Sequence, residues 1–152
     1  MCKTVDKDYD EKKLFPPVLA VDFDGTLVEN AFPGIGKFND EVLAAVKAYK
    51  GMGWKIILWS CRTDEMLEDA VKACEAQGLI FDAVNDNLPE VQAYFRGNTR
   101  KVFANLYWDD RNAVLVRNHT TLFNQQKSIS ILEAMPLAID TGIVAPLPVN
   151  GV

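Results

Sequence analysis

Histidine is nearly absent from this sequence, cysteine is scarce and positive charge is outnumbered: one His, three Cys, and 16 Lys plus Arg against 21 Asp plus Glu. The single histidine, His119, stands before Thr120-Thr121, far from the motifs below, and reads as a surface residue rather than a general base. Cys2, Cys61 and Cys74 are odd in number and show no CxxC spacing. That argues for reduced thiols in a cytoplasmic protein and against a zinc site. Cys61 is expected to be buried beside a strand. The net charge of −5 and pI near 4.9 argue against broad binding to nucleic acid or an anionic membrane. Neither partner is expected. No apolar stretch approaches the ~20 residues needed to span a bilayer. The opening segment, Met1 to Lys13, is charged and lacks the apolar core of a signal peptide.

What is present suffices for one domain with a real core: 152 residues, 49% of them hydrophobic. Residues 1–17 form a polar leader closed by Pro16-Pro17, 18–135 the domain, and 136–152 an extended tail. A buried strand is expected from Val18 to Asp22. A helix capped by Asn39 or Asp40 follows, with Val42, Val46 and Tyr49 on one face and Gly51 and Gly53 at its end. Trp54 to Trp59 reads as a second buried strand, closing at Ser60. Thr63 caps a helix whose stripe of Met66, Leu67, Ala70, Val71 and Cys74 runs to Gly78, a pattern of core packing. Ile80 to Val84 is a third strand, followed by Asn85-Asp86-Asn87 and a short helix opened by Pro89. Ala104 to Trp108 gives a fourth strand and Ala113 to Val116 a short fifth, with a helix over Gln125 to Met135 beyond. Strands alternating with helices predict a parallel sheet covered on both faces, a three-layer α/β fold of Rossmann-like type.

The most informative stretch is Asp22-Phe23-Asp24-Gly25-Thr26, at the end of the apolar run Val18-Leu19-Ala20-Val21. Carboxylates at i and i+2 of a strand project to one face, and two like charges so close call for a cation or a shared proton. A hard divalent ion with oxygen ligands, most simply Mg²⁺, meets that need. Gly25 and Thr26 add a tight turn, amides and a hydroxyl suited to holding a phosphate. Ligands of parallel α/β sheets bind beyond the carboxyl ends of the strands. Asp22/Asp24, Ser60, Asn85 and Asp109/Asp110 each follow an apolar strand, so four segments bring polar groups to one edge.

This constellation resembles the haloacid dehalogenase-like superfamily, in particular its small magnesium-dependent phosphatases, over Val18 to Arg111. Asp22-x-Asp24-Gly25-Thr26 is similar to the first family motif, Ser60 after Ile56-Ile57-Leu58-Trp59 to the second, Lys101 to the third and Asp109-Asp110 to the fourth. The resemblance implies a phosphomonoester hydrolase in which Asp22 is the nucleophile, forming an aspartyl-phosphate, and Asp24 the acid and base. It implies Mg²⁺ held by Asp22, the Asp24 carbonyl and Asp109. Lys101 would neutralise charge on the nucleophile and phosphoryl oxygens, and Ser60 would donate a hydrogen bond to them.

Several roles stay open. Asp110 fits a metal ligand, a residue that steadies one, or a turn. Arg62 and Arg111 could grip substrate or form structural ion pairs, and Asn85 could line the pocket or build a turn. Lys101 beside Arg100 could be a solvated pair, and Ser60 a cap. The intervals Thr26 to Trp54 and Ser60 to Lys101 leave no room for the cap domain that larger relatives insert. An open site is therefore expected, or one roofed by a second copy in a homo-oligomer, for which the leader and the segment Ile139 to Val152 are candidates. The substrate is a small phosphorylated molecule, a sugar phosphate or a nucleotide, or a phosphorylated macromolecule. The alternatives are a non-catalytic binding or regulatory module with the same fold and metal site, and a receiver-like domain phosphorylated on aspartate as a signal. Asp24 favours the enzyme, because a phosphate acceptor needs no acid or base two residues away.

Overall fold

The computed structural model describes Asp10, residues 14–112, and the backbone of residues 114–116 and 119–121. The expected helix over 125–135 and the tail from Pro136 lie outside the described residues. Val18–Val21 forms β1, all four residues buried. Asp40–Gly51 (α1) leads to Lys55–Leu58 (β2), Asp64–Ala76 (α2) to Ala83–Val84 (β3), and Pro89–Phe95 (α3) to Leu106–Trp108 (β4). The four strands make one parallel sheet in the order β3-β2-β1-β4. The architecture is α/β and Rossmann-like, as the alternation predicts.

Side-chain alternation along the central strands feeds two cores. Leu19, Val21, Ile56 and Leu58 point to the face covered by Val42, Val46 and Tyr49 of α1 and by Ala70 and Cys74 of α2. Val18, Ala20 and Ile57 point to the opposite face, against Val91 of α3, Phe15, Leu88 and Val102. The chain steps outward from β1 to β3 with α1 and α2 on one side. It then returns past β1 with α3 on the other, as consistent crossover handedness requires. The strand order therefore reverses between β1 and β4, where sheets of this type open a crevice.

Local signals set the helix ends. Asn39 caps α1, its side chain accepting the Val42 amide at 3.4 Å. Gly53 and Gly78, at φ +89° and +77°, turn the chain just after α1 and α2. Thr63 occupies the cap position of α2, but its side chain makes no capping hydrogen bond. Tyr49 anchors the end of α1 by edge contacts with Trp54 at 4.8 Å and Trp108 at 5.3 Å, tying the helix to both neighbours of β1.

Two strands are shorter than the apolar runs suggest. β3 spans only Ala83–Val84, and Ile80 is exposed. The reason lies in Asp82, which joins β2 by its own backbone and side chain: its amide donates to the Ile56 carbonyl at 2.8 Å and its carboxylate accepts the Ile56 amide at 2.9 Å. Lys50 and Lys55 pair with the same carboxylate at 2.9 and 3.1 Å; against the opposing effect of burial, the Ile56 amide first and these two ammonium groups next hold its pKa below the usual range. Likewise Asn105, with its amide on the Val18 carbonyl and its side-chain oxygen on the Val18 amide, takes the place of a longer β4. The expected fifth strand exists as Val114–Val116 (β5), paired antiparallel with His119–Thr121 (β6) in a separate two-stranded sheet.

Candidate active site

Three carboxylates meet at the crevice between β1 and β4. Asp22 follows β1 directly, its amide donating to the Trp108 carbonyl at 2.8 Å, and Asp109 and Asp110 follow β4. One oxygen from each of Asp22, Asp109 and Asp110 lies within 4.8 Å of the others. Burial pushes the Asp22 carboxyl up to about 6, against a lowering hydrogen bond from the Phe23 amide; the charges of Asp109, Asp110 and Asp24 add to the rise. Asp110 is raised too, by burial first and by Asp109 next. Asp110, left open by the sequence, belongs to the cluster.

Thr26 holds this cluster together. Its hydroxyl accepts the Asp110 amide at 2.9 Å and lies 3.5 Å from Asp22 Oδ2, bridging the two strand ends. Gly25 stands at φ +85°, and a Cβ there would meet Asp110 Oδ2 at 2.5 Å, so both backbone shape and close approach demand glycine. The Gly25 amide is spent on the Val28 carbonyl at 2.8 Å. That corrects the expectation of a free amide at Gly25 for phosphate. Asp109 builds its own turn, its carboxylate accepting the Arg111 amide at 2.8 Å. Arg111 itself is exposed, 3.9 Å from Asp110.

Asp24 does not join the triad through its carboxylate. Both its oxygens are gripped by Arg62, from Nε at 2.7 Å and Nη2 at 2.8 Å. The same guanidinium donates to the carbonyls of Pro33 at 3.0 Å and Gly34 at 2.5 Å. It lies over the rings of Phe23 and Phe32, 5.1 and 5.4 Å from their centres. Arg62 is 2% exposed, and its donors are committed to Asp24 and the 33–34 turn. Of the two roles open to Arg62 from the sequence, the structure shows the ion pair: it is buried and fixes Asp24. The Asp24 backbone carbonyl stands apart from the turn's own bonds, which run from the Thr26 and Val28 amides to Phe23 and from the Gly25 amide to Val28.

Ser60, at the end of β2, accepts the Arg62 amide at 3.2 Å through its hydroxyl oxygen, which leaves the hydroxyl proton to donate elsewhere. Asn85 is corrected from pocket lining to scaffold. Its oxygen accepts the Ser60 amide at 2.8 Å and its nitrogen donates to the Arg62 carbonyl at 3.3 Å, so it clamps the loop that carries both residues. Lys101 is not brought to Asp22. It is exposed, with Nζ 5.3 Å from the centre of the Tyr107 ring, and makes no ion pair among the described residues. Tyr107 packs against the α3-side core, and Lys101 follows it there. Cys61, expected to be buried, is exposed, and Cys74 is the buried thiol.

Sequence reasoning missed the link from Arg62 to Pro33 and Gly34, because carbonyl acceptors carry no side-chain signature. The signal that was available is the guanidinium two residues past Ser60, beside an unneutralised Asp24. Among the described residues no helix is long and apolar enough to cross a membrane.

No protein-family model matches this chain, and no curated protein matches it. A conserved protein from Bacteroides thetaiotaomicron of solved structure is 40% identical over 64% of this chain and 78% of its own, with a TM-score of 0.58. At that identity and coverage, the chain belongs to the same family as the Bacteroides thetaiotaomicron protein.

Proposed function

We propose that this protein is a Mg²⁺-dependent phosphomonoester hydrolase of the haloacid dehalogenase type, working through an aspartyl-phosphate on Asp22. The observation that carries this reading is the cluster of Asp22, Asp109 and Asp110 at the strand-order reversal, with a fourth aspartate, Asp24, held in a two-point ion pair. Burial and neighbouring carboxylates push the pKa values of Asp22 and Asp110 up, a poor resting arrangement for a protein with no cation to place there. The donor set fits a hard divalent ion: oxygen only and partly buried, with Asp22 and Asp109 as ligands and Asp110 within the same cluster. When bound, such an ion would neutralise the carboxylates and draw charge from the phosphoryl oxygens.

The remaining steps fall to the chain's own groups. An Asp22 carboxylate oxygen attacks phosphorus, the bond to the ester oxygen breaks, and that oxygen leaves with a proton from Asp24, which must first take it from solvent on an oxygen released from Arg62. A water then attacks the phosphorus of the aspartyl-phosphate, Asp24 takes the proton, and inorganic phosphate departs with Asp22 restored. Arg62 aims the Asp24 carboxylate for both transfers. The Ser60 hydroxyl, its proton unspent, serves a phosphoryl oxygen. Lys101 is the chain's candidate for the neutralising cation, a role that requires its ammonium to leave the Tyr107 ring.

Assay of a panel of phosphomonoesters with and without Mg²⁺ tests the reading. Release of phosphate that needs Mg²⁺ and is lost in Asp22→Asn supports it. Activity indifferent to Asp22, or none across the panel, refutes it and favours a binding module.

A further inference from the structure

We propose that the tip of the loop between Thr26 and α1, residues 31–36, is the recognition wall for the leaving group, and that Phe32 stacks on a planar ring carried by the substrate. The inference rests on the phosphatase reading and narrows its substrate to phosphate esters of aryl or heterocycle-bearing alcohols.

The loop leaves and rejoins the fold at one point, where the Glu29 amide donates to the Lys37 carbonyl at 2.8 Å and Val28 bridges Phe38. Its tip is not anchored by a core of its own. It is fixed instead by the Arg62 guanidinium, through the carbonyls of Pro33 and Gly34. Because the same guanidinium holds both oxygens of Asp24, the tip and that carboxylate keep a constant relation to each other. In the proposed reaction Asp24 faces the ester oxygen, so whatever is attached to that oxygen lies beside the tip.

The residues offered there are apolar. Phe32 is 57% exposed and Ile35 40% exposed, on a loop that polar residues would normally cover. The Arg62 guanidinium lies over the Phe32 ring as well as over that of Phe23. The cation holds the Phe32 ring in place from one side, and more than half of the residue's surface remains open. A rigid ring already oriented by a cation loses little freedom when a second ring stacks on it, and ring pairs gain beyond the area they bury. A flexible alkyl group would gain only area. With no inserted domain among the described residues of the 26–54 and 60–101 intervals, this tip is the wall that the fold itself supplies.

The test uses phosphonates, which carry no ester bond to cleave, with the full chain in Mg²⁺. Binding of phenylphosphonate and butylphosphonate is measured by calorimetry for wild type, Phe32→Ala and Phe32→Tyr. Wild type should favour the phenyl compound by about two- to tenfold, the range that ring stacking supplies. Phe32→Ala should bring that ratio close to one, and Phe32→Tyr should keep it. Equal binding of the two by wild type, a ratio untouched in Phe32→Ala, or binding of neither compound overturns the inference. Hydrolysis separates this outcome from the parent reading: a Mg²⁺-dependent phosphatase with no ring preference keeps the activity and loses the stacking. Ring-selective binding without turnover does the reverse.

Discussion

Replacing the proposed nucleophile should make the metal-free protein more stable at neutral pH. Burial and three neighbouring carboxylates raise the Asp22 pKa from 3.8 to about 6, so the folded chain holds the Asp22 proton more tightly than the unfolded chain does. Stability from this group is fully present below pH about 4. It is lost as pH rises through about 6, since ν_N exceeds ν_U across that window. The rise from 3.8 to about 6 corresponds to at most about 3 kcal/mol. The carboxylate is partly solvated, so we set the expected effect at about 1–2 kcal/mol. Asp22→Asn keeps the shape and an acceptor for the Phe23 amide but removes the charge. In EDTA at pH 7.5, urea unfolding should find the variant more stable by that amount, or about 2–8 °C higher in Tm. At pH 4 the advantage should vanish, because wild-type Asp22 is then largely protonated in the folded state. Saturating Mg²⁺ should reverse the order at pH 7.5, since only the wild type retains the full ligand set. An Asp22→Asn variant less stable than wild type at pH 7.5 in EDTA, or an advantage unchanged at pH 4, would refute the reasoning.

Millimolar Mg²⁺ should raise the wild-type Tm by mass action, and Asp109→Ala should abolish the shift, as read by differential scanning fluorimetry. Arg62→Ala should cost about 3 kcal/mol in denaturant unfolding, by leaving Asp24 and two carbonyls without their donor. Arg62→Lys should recover little of either stability or turnover, because a point charge cannot reproduce the two-point grip on Asp24. Gly25→Ala should fold poorly or lose Mg²⁺ binding, since its methyl would meet Asp110 at a φ of +85°; the Mg²⁺-dependent Tm shift measures the second effect.

Much of the fold was legible because its signals are local and periodic. The run Val18-Leu19-Ala20-Val21 has to be buried on both faces, and Gly53 and Gly78 mark helix ends that only positive φ can make. The carboxylates were legible for the same reason, each standing directly after an apolar strand. What escaped depends on contacts between distant segments. Arg62 and Pro33, separated by 29 positions, meet through a guanidinium and a carbonyl. Asp82 shortens β3 by taking the Ile56 amide with its side chain, a competition invisible in a run of apolar residues. Asn85 looked like a turn or a pocket residue, and its clamp on Ser60 and Arg62 appears only once β2 and β3 lie side by side. Lys101 shows the converse: order along the chain suggests the nucleophile, whereas the ring of Tyr107 holds the ammonium.

The central claim is covalent: phosphorus passes through Asp22. Its most direct test is acid quenching during turnover of phenyl phosphate with Mg²⁺, followed by peptide mass spectrometry of wild type and Asp24→Asn. The account predicts a phosphoryl group on the peptide at Asp22, transient in wild type and accumulating in Asp24→Asn, where hydrolysis of the intermediate lacks its base. Mg²⁺-dependent release of phosphate with no phosphoryl group on Asp22 in either protein, or with the group on another residue, would contradict it.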